Sequence, residues 1–339
     1  MTDSLQTENR MSPALAATLP WLVADIGGSN ARFGLITAPD SVVRHVRTIP
    51  VSSHIDPAQA AHTYLTGVAS SLGSSFQAPR KAAFAVATSV AGDNIAFTNS
   101  RWSFSIAAVK AELDLSTFLV LNDFEALALS LPRLSATQLR AHDQLPQAKG
   151  TLAVIGPGTG LGVGSVIQTA AGWVALPCEG GHVTLAANDD FESALLAHVR
   201  KTFSHVSAER LLSGIGLPVL YDAVTSVRGV KNHALTAERI VELGLNGSDP
   251  VCSETLDTFC ALLGSFAGNV ALTLGARGGV YIGGGIVPRL GERFFTSRFR
   301  ECFEAKGRLR SYQASIPTAL ITDTLAALTG AAFAIEQQN

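Results

Sequence analysis

Asn122 and Asp123 stand directly after four apolar residues, Phe118 to Leu121, and before a segment of helix-forming residues. This pattern predicts a strand, the edge of a sheet and then a helix. At the carboxyl end of a strand in an α/β protein, side chains project into the crevice that binds ligands. A carboxylate in that place can accept a proton, so Asp123 is a candidate general base. The alternative is that Asp123 only caps a helix starting at Phe124.

Two glycine-rich turns lie between apolar segments of strand composition. The first covers residues 27–30 and follows Asp25, and the second lies in residues 156–164, where five of nine residues are glycine. Glycine lets backbone N–H groups approach an oxyanion closely, while Ser29 and Thr159 add hydroxyl donors. Two such turns could grip one polyphosphate from both sides, and Asp25 could hold a hydrated Mg²⁺ through water. The alternative for the first turn is an ordinary hairpin with glycine at positive φ.

The second turn does not match the common nucleotide-binding motifs. It lacks the Gly-Lys-Ser/Thr of a P-loop and the Gly-x-Gly-x-x-Gly spacing of a Rossmann fold. A third glycine segment, Gly283 to Gly285, follows a predicted strand and precedes a helix opened by Pro288. Such a bare backbone surface suits the packing of a flat base.

Four further polar residues are candidates for contacts to a small polar ligand. Asn99 follows a predicted strand and could offer its amide to hydroxyl groups, although turn chemistry explains an asparagine there equally well. Glu179 and His182 flank a flexible glycine pair, and short planar acceptors of this kind bind vicinal sugar hydroxyls. Glu209 falls in the first turn of a helix predicted to begin at Ser207, where the helix dipole alone would explain a carboxylate.

The composition favours a globular protein with a small-molecule partner. With 339 residues, of which 47% are hydrophobic and 15% charged, the chain can bury large cores and is expected to form two domains. A net charge of −2 and the lack of Lys/Arg runs argue against nucleic acid or an anionic membrane as the partner. The four cysteines lie far apart without metal-binding spacing, so reduced thiols and no zinc are expected.

The amino-terminal residues 1–18 lack the basic start and the long apolar core of a signal peptide, and we expect them to form a frayed tail. No uninterrupted apolar run approaches the ~20 residues that a membrane span needs. A soluble, cytoplasmic protein is therefore expected.

Six motifs, taken together and in order, resemble those of the bacterial ATP-dependent glucokinases, within the hexokinase, Hsp70 and actin superfamily. They run from about residue 20 to the C-terminus, and the combination is far more specific than any one motif. The matching segments are residues 25–32, 121–124, 158–162, 179–182, 207–210 and 283–289.

The resemblance implies an α/β protein with the two-domain actin-like (ribonuclease H-like) ATPase fold and an interdomain cleft. It implies a small domain of residues 20–122 plus 323–339 and a large domain of residues 123–322, which leaves residues 1–19 as the expected disordered or frayed tail. The implied activity is that of an ATP:hexose 6-phosphotransferase, which moves the γ-phosphoryl of ATP to O6 of D-glucose. The products are glucose 6-phosphate and ADP, at the entry of glycolysis. Mg²⁺ and a homodimer are implied as well.

The resemblance also implies roles for individual residues. Asp123 resembles the catalytic base, and Asp25 resembles a ligand of Mg²⁺ acting through water. The residues that resemble sugar ligands are Asn99, Asn122, Asp123, Glu179, His182 and Glu209. Those that resemble Mg·ATP ligands are Asp25, Gly27, Gly28, Ser29, Asn30, Arg32, Gly158, Thr159, Gly160, Gly283, Gly284 and Gly285, the last three beside the nucleoside.

Three residues depart from the family pattern. Ser29 replaces the usual threonine but keeps a hydroxyl, Cys178 stands where glycine is expected, and Ile215 stands where proline is common. The last two changes affect only the expected loop geometry near the sugar.

Two other classes of protein would share part of this pattern. A sugar kinase of the related ROK group needs a Cys-rich zinc loop, and its repressor members need an N-terminal helix-turn-helix; this sequence has neither. A non-enzymatic actin-like or chaperone ATPase would lack the sugar residues. ATP hydrolysis measured with and without glucose distinguishes these classes.

Overall fold

The computed structural model describes residues 11–97 and 100–338, and the chain falls into two compact units. Each unit is assembled from more than one stretch of sequence. The first consists of the residues up to Leu131, Ala171–Ala175 and the residues from Thr324 onward. The second consists of Pro132–Ala170 and Leu176–Asp323.

The first unit is built on a mixed five-stranded sheet with the strand order β3-β2-β1-β4-β7. Strands β1, β2 and β3 are antiparallel neighbours, whereas β1, β4 and β7 run parallel. The strands of this unit are β1 (Trp21–Ile26), β2 (Asn30–Ile36), β3 (Val43–Pro50), β4 (Lys81–Val86), β5 (Asn94–Ala96), β6 (Ser103–Ser105) and β7 (Thr117–Asn122). Its helices are α1 (Pro13–Ala16), α2 (Pro57–Leu72), α3 (Ile106–Glu112), α4 (Asp123–Ser130) and α13 (Ala326–Glu336).

The parallel register aligns the carboxyl ends of three strands of this sheet. Ile26 of β1 lies opposite Val86 of β4, and Val86 lies opposite Asn122 of β7. Asp25 stands one residue before this level and Asp123 one residue after it. Because ligands bind at the carboxyl edge of parallel strands, this is the edge at which the first unit can present polar side chains.

Helix α4 belongs to the first unit because it packs against α13. A Cβ added at Gly330 of α13 would lie 2.7 Å from the carbonyl carbon of Ala126 and 3.0 Å from the amide nitrogen of Ser130. Only a glycine permits so close a crossing of the two helices. The division after Leu131 therefore differs from the boundary expected at residue 122.

The chain before β1 is packed rather than frayed in its described part. Met11 and Leu15 are 9% and 8% exposed and lie in one apolar cluster with Trp21 and helix α13. Ser12 caps α1 by accepting a hydrogen bond from the backbone N–H of Leu15. The expectation of a frayed tail over residues 1–19 is thus wrong for residues 11–19, because their apolar side chains cover part of the sheet.

The second unit contains strands in the order β10-β9-β12-β13-β8, part of a six-stranded sheet in which β9, β12 and β13 run parallel. Its strands are β8 (Leu139–Ala141), β9 (Thr151–Pro157), β10 (Leu161–Thr169), β12 (Gly279–Ile282) and β13 (Thr318–Ile321). Strand β11 (Gly172–Leu176) has residues 172–175 in the first unit. The helices are α5 (Asp190–Val199), α6 (Leu217–Arg228), α7 (Ala237–Leu245), α8 (Pro250–Leu274), α9 (Val287–Leu290), α10 (Glu292–Thr296), α11 (Phe299–Glu304) and α12 (Arg310–Ala314).

Helix α8 is the central helix of the second unit's core. In the described part of the chain it is the one helix long and apolar enough to cross a membrane by length and composition. However, 83% of its most apolar window is buried within the protein. Phe259, Leu263 and Phe266 pack into the main apolar cluster of this unit. Burial against other helices accounts for its composition, as expected for the core helix of a globular unit.

Candidate active site

Asn122, not Asp123, is the N-cap of α4. The Asn122 side-chain oxygen accepts hydrogen bonds from the backbone N–H groups of Phe124 (2.9 Å) and Glu125 (3.4 Å). Its amide nitrogen donates to the Thr88 carbonyl oxygen at 3.3 Å. The alternative in which Asp123 caps a helix starting at Phe124 is therefore wrong, because the preceding residue already fills that role. The helix instead begins at Asp123 itself.

Asp123 is left as a partly buried carboxylate in the first helical turn. One of its oxygens accepts a hydrogen bond from the Phe124 N–H at 3.0 Å. Burial and, to a smaller extent, the negative charge of Asp25 together raise the pKa of Asp123 to about 7, while local hydrogen bonds oppose the rise. A carboxyl group with this proton affinity can take up and release a proton near neutral pH.

Asp25 is the second carboxylate of this edge. Burial raises the pKa of Asp25, and the positive charge of Arg32 opposes that rise. Arg32 lies opposite Asp25 in the β1–β2 pair, and its guanidinium donates to the Thr324 carbonyl oxygen at 2.7 Å. The register thus explains both the charge pairing on β1 and β2 and the approach of two carboxylates at the end of the parallel strands.

The first glycine turn is a hairpin between β1 and β2. The Gly27 N–H donates to the Asn30 carbonyl oxygen at 2.9 Å, and the Ser29 carbonyl oxygen accepts from the Val51 N–H at 2.9 Å. Ser29 and Asn30 are exposed, and Gly28 is partly exposed. Gly27 does not adopt a positive φ, so the alternative based on glycine conformation fails for this position.

The second glycine turn joins β9 and β10 through residues 158–160. Gly158 donates to the Gly160 carbonyl oxygen at 2.8 Å, and Gly158 in turn accepts from the Gly214 N–H at 2.8 Å. Thr159 is exposed at the tip. A Cβ at Gly158 would meet no atom within 4 Å, whereas one at Gly160 would collide with the Glu209 carboxylate. Gly158 therefore has open space where a side chain would stand, whereas at Gly160 that space is occupied by the Glu209 carboxylate.

Residues Gly283 to Gly285 lie beside this turn because β12 and β9 are parallel neighbours. Gly283 donates to the Ile155 carbonyl oxygen at 2.8 Å, and Ile286 donates to the Pro157 carbonyl oxygen at 3.1 Å. Gly284 has a φ of +75°, and its Cα faces the Pro157 backbone so closely that a Cβ would lie 2.7 Å from the carbonyl carbon. This glycine is required both by its conformation and by the close approach.

Two of the candidate sugar residues of the second unit, His182 and Glu209, lie close together. The Glu209 N–H donates to the Gly181 carbonyl oxygen at 2.9 Å, and His182 Nδ1 is 3.9 Å from Glu209 Oε1. Glu179 precedes the turn that contains His182, and both side chains are exposed. Cys178, one of the departures from the family pattern, donates its thiol hydrogen to the Val163 carbonyl oxygen at 3.2 Å and so ties this loop to β10.

The helix predicted to begin at Ser207 is not formed. Residues 207–216 make a series of turns, and α6 begins only at Leu217. Ser207 does accept a hydrogen bond from the Arg210 N–H at 3.2 Å, as a cap would. The Gly214 N–H instead donates to the Gly158 carbonyl oxygen. The backbone of residues 207–216 is therefore hydrogen-bonded to the second glycine turn and does not continue a helix.

A pocket that no motif in the sequence indicates adjoins Thr159. Its volume is about 510 Å³, within the range of small-molecule sites. The lining residues are Thr159, Gly214, Ile215, Pro218, Leu235, Thr236, Ala237 and Glu238. The only sequence signal was the N-cap pattern Thr236-Ala237-Glu238, which predicts the start of α7 but not a cavity.

The predicted site residues fall into two groups. Asp25, Gly27, Gly28, Ser29, Asn30, Arg32, Asn122 and Asp123 are in the first unit. Gly158, Thr159, Gly160, Glu179, His182, Glu209, Gly283, Gly284 and Gly285 are in the second. Asn99 lies outside the described residues.

The fold and the family of the chain follow from its likeness to known proteins. Its two mixed sheets place it among α/β proteins of the actin-like ATPase fold, which glucokinases and ROK sugar kinases share, so the predicted fold class is confirmed. A model of the glucokinase family matches residues 22–338. The glucokinase of Aromatoleum aromaticum is 46% identical over 327 residues, covering 96% of this chain and 97% of that protein. The chain belongs to the glucokinase family and is a glucokinase enzyme, as its motifs predicted.

Solved structures agree with this assignment. A glucokinase from an Antarctic psychrotroph is 38% identical, with a TM-score of 0.85 over 93% of this chain and 98% of that chain. A ROK family glucokinase from Streptomyces griseus, solved in complex with glucose and AMPPNP, shares the fold at 18% identity, with a TM-score of 0.61 over 93% of this chain and 98% of that chain.

Proposed function

We propose that this enzyme transfers the γ-phosphoryl group of ATP to O6 of D-glucose, giving glucose 6-phosphate and ADP, with Asp123 as the general base. The observation that carries the proposal is the pKa of Asp123, which burial and the charge of Asp25 raise to about 7. A base of this strength is matched to accepting a hydroxyl proton near neutral pH. Family membership supports the proposed place of the reaction at the entry of glycolysis.

The sugar is held, in this proposal, by side chains that either donate or accept hydrogen bonds. Glu179 and Glu209 offer carboxylate oxygens to hydroxyl groups, and His182 offers a ring nitrogen. Asn122 contributes only the second hydrogen of its amide, because its oxygen caps α4 and its first amide hydrogen is donated to the Thr88 carbonyl oxygen. Asn99 and Asp123 complete the proposed set. Phosphoryl transfer depends mainly on positioning, so fixing O6 beside Asp123 is the main contribution of these residues.

The phosphates of ATP are proposed to contact the two glycine turns, residues 27–30 and 158–160, with Arg32 beside the first. The pocket of about 510 Å³ next to Thr159 is the proposed place for the nucleoside. Gly283 to Gly285 lie alongside, since their backbone bonds to that of Ile155 and Pro157 before the turn. The AMPPNP bound by the Streptomyces griseus neighbour supports ATP as the nucleotide.

Mg²⁺ fits the donor set of the first unit, with Asp25 as its proposed partner through water. The Asp25 carboxylate is a hard oxygen donor whose pKa is raised by burial despite the charge of Arg32, so a further cation would be favourable there. When bound, Mg²⁺ neutralises charge on phosphate oxygens. In the described ranges, no group of three or more His, Cys, Asp or Glu side chains is arranged to bind a metal ion. Water and substrate phosphates would therefore complete the coordination, as is usual for this ion.

The test of the general base is Asp123→Asn, which keeps the size of the side chain and one hydrogen-bonding oxygen but removes the proton acceptor. We expect kcat to fall by ~10² to 10⁴, the usual effect of removing a general base. Equilibrium glucose binding should change far less, because the other polar side chains still hold the ring. Steady-state kinetics and calorimetry with glucose measure the two quantities separately.

Asp56→Asn is a matched control for this experiment. Asp56 caps α2 by accepting a hydrogen bond from the Gln59 N–H at 2.8 Å, and asparagine caps a helix nearly as well. This variant should keep wild-type turnover. If Asp123→Asn also turned over glucose at a near-normal rate, Asp123 would not be the base.

A homodimer and a cytoplasmic location are also part of the proposal, and both rest on the resemblance to bacterial glucokinases. Light scattering during gel filtration tests the first, since a homodimer has twice the mass of the chain. A mass equal to one chain at micromolar concentration would contradict it.

A further inference from the structure

One hydrogen bond joins the proposed sugar residues of the second unit to the second glycine turn. Glu209 Oε2 accepts from the backbone N–H of Leu161 at 2.8 Å. Leu161 is the first residue of β10 and directly follows Gly160. Oε1 of the same carboxylate faces His182, with 3.9 Å between Oε1 and Nδ1. One carboxylate therefore contacts the turn through one oxygen and faces a second proposed sugar ligand through the other.

Gly160 provides the space that this carboxylate occupies. A Cβ at position 160 would collide with Glu209 Oε2 and lie 3.3 Å from Glu209 Cδ. The φ of Gly160 is outside the left-handed region, so an alanine could adopt this backbone conformation. Glycine is thus needed at this position for space, unlike at Gly158, where a Cβ would meet nothing within 4 Å.

The carbonyl group of Leu161 is also in close contact with Gly181, in the loop that carries the proposed sugar ligands Glu179 and His182. A Cβ at Gly181 would lie 3.0 Å from the Leu161 carbonyl carbon, and the Gly181 carbonyl oxygen accepts from the Glu209 N–H at 2.9 Å. Three segments, containing Leu161, Gly181 and Glu209, are therefore interlocked through backbone contacts. A movement of the turn must be transmitted to the Glu209 carboxylate, because well-packed backbone contacts leave little room for independent shifts.

We propose that Gly160 is a positioning residue for the sugar, and that the Leu161–Glu209 hydrogen bond couples nucleotide binding at the turn to glucose binding. This inference rests on the proposed function. Ordering of the turn by phosphates strengthens the bond that orients the carboxylate, so each substrate increases the affinity for the other by the same factor. The coupling acts within the second unit alone.

The test compares Gly160→Ala with Gly158→Ala by calorimetric titration with glucose in the absence of nucleotide. Gly160→Ala should weaken glucose binding by about tenfold or more, as expected for disturbing one hydrogen bond to a charged group. Gly158→Ala changes the same turn without touching Glu209, and its glucose Kd should stay within about twofold of wild type. Equal glucose affinities for the two variants would overturn the inference.

Both variants should fold, because the atom displaced in Gly160→Ala is the end of a flexible side chain. A second measurement uses only the wild-type protein and so does not depend on the variants. Saturating glucose without nucleotide should slow hydrogen exchange in the peptide that contains Leu161. Unchanged exchange with glucose bound would contradict the coupling.

The two proposals fail in different ways. If the wild-type enzyme neither binds nor phosphorylates glucose, the proposed function is wrong. If it does both, while Gly160→Ala binds glucose as tightly as Gly158→Ala, only the coupling through Glu209 is wrong.

Discussion

Asp25 and Asp123 bring two carboxylates together at the end of the parallel strands of the first unit. Burial disfavours the charged form of each, and the charge of Asp25 further disfavours ionisation of Asp123. The pair therefore retains a proton at a pH where exposed carboxylates are fully ionised. A group that exchanges a proton near neutrality is what general-base catalysis at physiological pH requires.

This electrostatic arrangement has a cost in stability, which gives a prediction for Asp123→Asn in the absence of ligands. Between the ordinary pKa of 3.8 and the raised value of about 7, folded Asp123 keeps a proton that the unfolded chain releases. The free energy of unfolding of the wild type therefore falls as the pH rises through this window. The variant lacks the titrating group, so its Tm relative to wild type should rise between pH 4 and pH 8.

The size of this effect is on the order of a few kcal/mol, since each tenfold difference in proton affinity between the folded and unfolded states corresponds to about 1.4 kcal/mol. Thermal unfolding of both proteins at several pH values measures it. A Tm difference that does not depend on pH would mean that the carboxyl group of Asp123 titrates in the folded protein as it does in the unfolded chain.

Between elements, the crossing of α4 and α13 depends on Gly330. The Gly330 backbone lies against the Ala126 carbonyl group and the Ser130 amide, which are backbone atoms that cannot rotate away. Since α4 begins at Asp123, this crossing also fixes the helix that carries the proposed base. The terminal helix thus has a structural role in positioning the site.

Gly330→Ala should therefore destabilise the first unit, by about 1–3 kcal/mol or more, the usual cost of overpacking a core. Chemical denaturation followed by tryptophan fluorescence measures the change, since Trp21 lies in the same cluster as α13.

Gly67→Ala in α2 is the matched control for this substitution. A Cβ at Gly67 would displace only the tip of the Arg47 side chain, and alanine favours helix over glycine. Its stability should be equal to or above that of wild type. Equal destabilisation by both variants would show that the helix crossing is not the cause.

At the scale of the whole molecule, the last residues of the chain complete the first unit rather than the second. Trp21 and Val23 on the sheet pack with Leu328, Ala331 and Ile335 of α13. The main apolar cluster of the second unit is formed without α13. Each unit therefore has its own core, but the first cannot form its complete core until the C-terminal segment has been added.

Truncation after Asp323 should consequently unfold the first unit while the second keeps its core. Hydrogen exchange in the truncated protein should be fast over residues 21–131 and remain slow over α8 and its neighbours. Slow exchange of β1 in the truncated protein would contradict this prediction, because it would show that the sheet is stable without α13.

Many elements could be predicted from local sequence. The strands on either side of the two glycine turns, and the strand followed by a helix around Asn122 and Asp123, were predicted from apolar segments and turn residues. These features depend on neighbours within one or two turns of the chain. The order of six motifs was also enough to indicate the family.

Only the tertiary structure determines which of the adjacent residues Asn122 and Asp123 caps α4. It also determines that residues 207–216 form turns instead of a helix. Both depend on partners distant in sequence, the Thr88 carbonyl oxygen for Asn122 and the Gly158 carbonyl oxygen for Gly214. The pairing of Asp25 with Asp123 and the space that Gly160 leaves for Glu209 have the same origin. Charge interactions and steric exclusion act through space, so they become defined only when strand register and loop packing bring separate segments together.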